Sequence, residues 1–185
     1  NIILAHPYIS LNGGQSWQFD SLERNTKCIV ELDSNLYAGT PAGLYKSINH
    51  GISWKFVGLK YREVYSIAKS STTIYALIKD QNFGSSTNLA YSIDDGTTWQ
   101  SFETPSSIFS YEVAVLGSTL YLGTQSGIYS VVDTTLYSRD WYPSAVQNEY
   151  VRSITSIDST IFVGIEEKGV MKSPSYVRQW VYVNT

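Results

Sequence analysis

The sequence predicts an all-β chain, a β-propeller of four-stranded antiparallel blades with about five blades in its 185 residues. Three observations point there. Trp17, Trp54, Trp99, Trp141 and Trp180 recur about every 40 residues, the period of one propeller blade. A phrase of two short runs joined by a Gly-bearing turn returns in register with them. No segment of helical period is long enough to compete.

The phrase Leu36-Tyr-Ala-Gly-Thr40, Pro41-Ala42-Gly43, Leu44-Tyr-Lys-Ser47 is rich in aromatic and β-branched residues on either side of a tight turn, which is a hairpin signal. It returns from Leu120 to Ser130 and again from Ile161 to Ser173. An apolar, alternating segment precedes each hairpin, at Cys28 to Asp33, Val64 to Ser70, Tyr111 to Gly117 and Arg152 to Asp158, and a short polar turn links the two. A last strand starts at each Trp. The unit is therefore four strands, A to D.

Four whole units fall at residues 27–59, 63–103, 110–144 and 151–185. A partial unit at 1–21 offers strand B at 2–6, strand C at 8–10 and strand D at 16–21. With no linker in sight, residues 1–185 read as a single propeller domain. The longest interruption is an insertion at 79–88 in the B–C hairpin of the third unit. Two arrangements stay open: five blades closing with one strand short, or part of a larger ring.

The C–D turn is the sharpest local motif. Ser10, Asn12, Gly14, Ser16 and Trp17 match Ser47, Asn49, Gly51, Ser53 and Trp54, and again Ser92, Asp94, Gly96, Thr98 and Trp99. The Asp or Asn side chain is suited to accept backbone N–H groups two or three residues on, closing the turn. Glycine supplies a positive φ, and the Trp buries a large ring between layers while its N–H needs one partner. This pattern, Ser-x-Asp/Asn-x-Gly-x-Ser/Thr-Trp, closely resembles the Asp-box, or bacterial neuraminidase repeat, of sialidases, xyloglucanase-type glycosidases, sortilin-like receptors and photosystem-assembly propellers. Unit four departs from it at 133–140 and unit five at 174–179, though Trp141 and Trp180 remain. The resemblance implies a propeller scaffold with the boxes as structural devices on its periphery.

Composition narrows the function. Thirteen Lys plus Arg against sixteen Asp plus Glu give a net charge of −3 and a pI near 5.3. Without a basic run or stripe, nucleic acid and anionic membranes are poor partners. No apolar stretch is long enough for membrane insertion. Cys28 has no second cysteine to pair with, and its place on an alternating strand reads as core. His6 and His50 lie apart and leave no metal ligand set, and no cofactor motif is present. Fifteen Tyr, five Trp and six Phe with only 16% charged residues lean towards an extracellular or cell-surface setting, as the resemblance does.

The resemblance to sialidases would imply an arginine triad, a Tyr–Glu pair and an Asp acid. No Arg-Ile-Pro phrase occurs, Arg139 and Arg178 fall in C–D turns, and only Arg24, Arg62 and Arg152 fall near D–A connections. Other glycosidases need two carboxylates across a cleft. Glu23, Glu63, Asp80, Glu112, Glu149, Glu166 and Glu167 fall on the D–A/B–C face, none in a catalytic phrase, and read as solvated loop carboxylates. The same face carries Phe109, Trp141 and Tyr142 besides Tyr61, Arg62, Phe83, Tyr111, Tyr150 and Arg152, the six expected to bind. Tyr and Arg with few Lys is the composition of recognition surfaces. The sequence therefore reads as a non-catalytic recognition module of a secreted or surface protein, binding protein or glycan through that face. The alternatives are a sialidase- or xyloglucanase-like glycoside hydrolase, or part of one, and an assembly factor of the photosystem-assembly type.

Overall fold

A computed structural model describes residues 3–5, 8–10, 12–19, 22, 25–80, 87–105, 108–132, 141–174 and 179–183. All regular structure among them is β. Four sheets have four strands each, hydrogen-bonded in chain order and antiparallel throughout. The first comprises β4 (Cys28–Leu32), β5 (Asn35–Thr40), β6 (Gly43–Ser47) and β7 (Lys55–Gly58). The second comprises β8 (Arg62–Lys69), β9 (Ile74–Asp80), β10 (Thr87–Ser92) and β11 (Gln100–Glu103). The third comprises β12 (Ser110–Leu116), β13 (Thr119–Thr124), β14 (Gly127–Val132) and β15 (Tyr142–Ala145). The fourth comprises β16 (Val151–Ile157), β17 (Thr160–Ile165), β18 (Gly169–Pro174) and β19 (Val181–Tyr182). A three-stranded sheet of β1 (Ile3–Ala5), β2 (Tyr8–Ser10) and β3 (Gln18–Phe19) precedes them. The described residues thus hold four complete blades and one sheet that begins at strand B. The 79–88 insertion is shorter than expected, because Thr87 pairs with Lys79 and both strands extend into it.

The core lies between blades. Strand B alternates, so its successive residues serve opposite layers. In β9, Ile74, Ala76 and Ile78 join Tyr37 and Leu44 of the preceding blade, while Tyr75 and Leu77 join Val113, Leu120 and Leu122 of the following one. A third layer sets Tyr121 and Ile128 against Val151, Ile154, Ile161 and Val163. Being buried on both faces is why these strands are apolar at nearly every position. Each aliphatic side chain so buried stabilises the stack by about 1.5–3 kcal/mol.

The glycine of the B-strand phrase permits this closeness. A Cβ on Gly39 would lie 2.6 Å from the carbonyl oxygen of Val64 and 2.7 Å from Cys28 Sγ. Cys28 packs beside the first layer, and burial pushes its thiol up to about 12. Amides on the inner edge strands also find partners across blades. Val113 N–H donates to Ser66 Oγ and Ile154 N–H to Glu112 Oε2, both at 3.1 Å.

The C–D turns share one hydrogen-bond scheme. In the third unit Gly96 N–H donates to Ser92 Oγ (2.8 Å), Ser92 Oγ donates to Asp94 Oδ1 (2.8 Å), and Thr98 N–H donates to the same Oδ1 (2.8 Å). Gly51, Ser47, Asn49 and Ser53 repeat it, as do Gly14, Ser10, Asn12 and Ser16. The Asp or Asn acceptor therefore reaches four residues on, not two or three, because the chain takes two successive left-handed residues. These are His50 (φ 59) and Gly51 (φ 87), then Asp95 (φ 59) and Gly96 (φ 88), and in the first turn Gly13 (φ 71) and Gly14 (φ 90).

Three tryptophans pack as anticipated. Trp99, Trp141 and Trp180 abut the first, second and third layers. Trp99 Nε1 donates to Gly96 O and Trp141 Nε1 to Glu103 O, both at 3.0 Å. Trp17 differs: it is 45% exposed. Trp54 Nε1 is buried with no partner among the described residues.

Candidate recognition site

D–A links and B–C turns meet at one end of the blades. Tyr61 N–H donates to Ala42 O (3.1 Å), Gln125 N–H to Phe109 O (3.0 Å) and Glu166 N–H to Tyr150 O (2.9 Å). At this end three successive inner strands carry a β-bulge. Register shifts between Val64 and Ser66 in β8, between Ser110 and Glu112 in β12, and between Val151 and Ser153 in β16. The residues left over are Tyr65, Tyr111 and Arg152. A bulge re-aims one side chain and is over-represented beside functional sites.

The three re-aimed side chains join one stack across three blades. The Tyr65 and Phe109 rings are 6.2 Å apart, edge to face, and Phe109 and Tyr111 are 5.1 Å apart. The Arg152 guanidinium lies 4.1 Å from the centre of the Tyr111 ring and 5.3 Å from that of Tyr150. Such stacking holds a planar cation over aromatic faces without desolvating it fully. Glu166 fixes its orientation, since Arg152 Nη2 donates to both carboxylate oxygens at 3.1 and 3.0 Å.

Carboxylates flank the stack and have partners within the protein. Lys27 Nζ lies 3.0 Å from Glu63 Oε1, and Tyr65 Oη donates to Glu63 Oε2 at 2.8 Å. Burial works to raise the Glu63 pKa, but hydrogen bonds from Lys27 and Tyr65 outweigh it and hold the carboxyl below its ordinary value. Burial and the same carboxylate push the Tyr65 phenol up to about 12. A phenol so raised is a hydrogen-bond donor and a poor nucleophile. Burial raises the Glu112 carboxyl, against the opposing hydrogen bond from Ile154 N–H. Glu149 pairs with Lys168. The picture of solvated loop carboxylates is thus corrected for Glu63, Glu112 and Glu149, which the fold engages in internal contacts, whereas Glu166 stays exposed while it pairs with Arg152.

Of the six residues expected to bind, Tyr111, Tyr150 and Arg152 come together. Tyr61 is 69% exposed, left-handed (φ 64) and packed under Lys60 Nζ at 4.8 Å. Arg62 opens β8, the strand that carries Tyr65. Phe83, Arg24, Arg139, Arg178 and Glu23 fall outside the described residues, as does the side chain of Asp80. Sequence reasoning missed Tyr65. Its signal was present: Val64 and Ile67 face the same layer three residues apart, as do Val151 and Ile154, where unbroken alternation would space them by two. Among the described residues no three His, Cys, Asp or Glu side chains gather where a metal ion would be held.

No protein-family model matches the sequence, and no curated protein does. Solved structures do match. YCF48 bound to a D1 peptide superposes with a TM-score of 0.65 at 14% identity, over 94% of this chain and 59% of that one. YCF48 from Cyanidioschyzon merolae gives 0.64 at 13%, over 94% and 65%. The extracellular domain of the hybrid two-component system BT4673 from B. thetaiotaomicron gives 0.69 at 16%, over 97% and 27%. These neighbours are β-propellers.

The chain is a β-propeller. It spans less than two thirds of the length of these neighbours. Within the propeller, Tyr65, Tyr111 and Arg152 are the bulge residues of inner strands β8, β12 and β16, so the Tyr65–Arg152 stack lies on the inner strands. The register shifts of the β6–β7 and β14–β15 pairs lie on the outer strands.

Proposed function

We propose that this propeller is a non-catalytic recognition module that binds a protein or glycan ligand on the D–A/B–C face, centred on Tyr65, Phe109, Tyr111, Tyr150 and Arg152. The observation that carries this reading is the run of three bulges, each turning a Tyr or Arg out of a strand and into one stack. Rigid aromatic area and an oriented guanidinium supply contact at low entropic cost. Tyr61, 69% exposed on the same face, extends the surface. In this reading it is an Asp-box propeller, with Ser10, Asn12, Gly14, Ser47, Asn49, Gly51, Ser92, Asp94 and Gly96 as scaffold, which the shared hydrogen-bond scheme of the three C–D turns supports. Residues 1–185 act as one domain in this reading. One neighbour was solved with a peptide bound and another is an extracellular domain, which supports protein ligands and a secreted or surface location.

A glycoside hydrolase is the second reading, favoured by the Tyr65–Glu63 pair at 2.8 Å. The protonation states oppose it. A nucleophilic pair needs a phenol that loses its proton readily, and here the phenol is raised while Lys27 engages the carboxylate.

Immobilised protein screened against a glycan array and a random peptide library tests the first reading. Ligands retained by the parent and weakened at least tenfold by Tyr111→Ala, but not by Tyr182→Ala on the D strand of the fourth blade, support it. Ligands indifferent to Tyr111→Ala and Arg152→Ala refute the assignment of the face.

A further inference from the structure

The last blade shows a face that every other complete blade has covered. In β5, β9 and β13 the second residue of the apolar phrase points to the following blade and is buried there: Tyr37 at 1% exposure, Tyr75 at 0% and Tyr121 at 8%. Its counterpart in β17 is Phe162. Phe162 pairs with Lys172 as Tyr37 pairs with Lys46. Together with Thr160, Pro174 and Val181 it floors an open groove of about 360 Å³. Ile157 beside it is 59% exposed and Val181 is 51% exposed. The opposite face of the same strand, bearing Ile161 and Val163, is packed into the third layer.

The covered example shows what such a face takes. Tyr37 Oη and Lys46 Nζ both donate to Asp95, the left-handed residue of the following blade's C–D turn, at 2.5 Å each. We propose that the Phe162–Lys172 face docks one further blade of the same repeat, whose C–D turn brings a carboxylate to Lys172 where Asp95 meets Lys46. Register and apolar floor continue an interface already present three times in the molecule, and the Lys position continues the one between the first two complete blades, where Lys46 meets Asp95. Closing the face with no carboxylate would bury the Lys172 ammonium unpaired, which is costly. The β2–β3 turn carries Gly13 at the corresponding position and offers none. The docked blade therefore supplies an acid that this sheet does not contain.

The test appends a second copy of residues 60–104, the blade that already closes on Tyr37 and Lys46, after Thr185. In repeat proteins each new interface adds its own stabilisation. The fusion is expected to melt about 5 °C or more above the parent. Asp95→Lys in the appended copy alone should abolish most of that gain, and adding Lys172→Asp should restore it. The parent's own transition stays measurable even if the appended blade fails to fold. A fusion that melts with the parent, or a gain insensitive to the charge reversal, overturns the proposal. So does a concentration-dependent dimer of the parent that Lys172→Glu dissociates, because a second copy would then cover the face.

Discussion

Tyr37 donates its phenolic hydrogen to Asp95 Oδ1 across 2.5 Å, joining strand B of one blade to the C–D turn of the next. Lys46 reaches the other carboxylate oxygen, also at 2.5 Å, and its ammonium sits 5.2 Å above the Tyr37 ring. Burial opposes ionisation of Asp95, but the hydrogen bonds from Lys46 and Tyr37 win and hold its carboxyl below the ordinary value. Tyr37→Phe keeps the ring in place and removes one charge-assisted bond. It should cost about 1–2 kcal/mol in urea-induced unfolding. A cost below about 0.3 kcal/mol would show that water replaces the bond freely.

Acid should weaken the third-unit turn through Asp94. Hydrogen bonds from the Thr98 hydroxyl, the Thr98 amide and Ser92 hold Asp94 down at about 2, well under its ordinary 3.8. A depressed carboxyl stabilises the fold above its unfolded pKa, and that contribution is lost as pH falls through the folded value. The loss from Asp94 therefore spans roughly pH 4 to pH 2. Asp94→Asn should melt near the parent at pH 7, since Asn12 and Asn49 close the same turn with an amide that donates to Ser16 and Ser53. Its melting temperature should also fall less between pH 4 and pH 2 than the parent's does. Parallel curves for the two proteins would refute the assignment.

The tryptophans should not be equivalent. Trp99 lies over Gly58, packs on the first layer and bonds Gly96 O, so Trp99→Ala should cost about 2–3 kcal/mol, at the lower edge for a large ring because it is only partly buried. Trp17 is 45% exposed, and Trp17→Ala should cost less than about 1 kcal/mol. Equal losses in chemical denaturation would contradict this ordering.

Gly39→Ala should be costly although its backbone is ordinary strand. The new methyl meets the Val64 carbonyl at 2.6 Å, an atom of the next blade's backbone that cannot turn aside. Separation of the two blades by a few tenths of an ångström should cost about 1–3 kcal/mol. Gly117→Ala, with nothing within 4 Å of the added carbon, is the control for backbone effects at a left-handed position. A Gly39→Ala protein as stable as the parent would mean that the blades part easily.

Strand order was legible in particular residues. The five Trp and the Leu36, Leu120 and Ile161 phrases marked every complete blade, because a strand buried on both faces has to be apolar at consecutive positions. The Ser, Asn or Asp and Gly of the C–D turns were equally readable, since their bonds run within a few residues. The reach of Asp94 to Thr98 was misjudged, because it depends on Asp95 being left-handed, and a non-glycine residue does not advertise that. Of the site, Tyr111, Tyr150 and Arg152 were found from their place on the D–A/B–C face, which the repeat marks, and from the Tyr- and Arg-rich composition there. Tyr65 was not, because the three-residue spacing of Val64 and Ile67 that signals its bulge was read as unbroken alternation, and pairing with β9 shows Tyr65 to be the extra residue.

By itself, the sequence determined the repeat, the antiparallel four-strand unit and the turns that close it. Those are contacts between residues near in the chain, and their periodicity survives in one dimension. Tertiary structure decided which side chains meet. The Tyr65–Phe109–Tyr111–Arg152 stack joins three blades, the Tyr37–Asp95 bond joins two, and Phe162 is left open because no further blade lies over it among the described residues. The physical reason is that blade-to-blade geometry follows from sheet twist and layer packing. Neither leaves a local pattern in the residues it brings together.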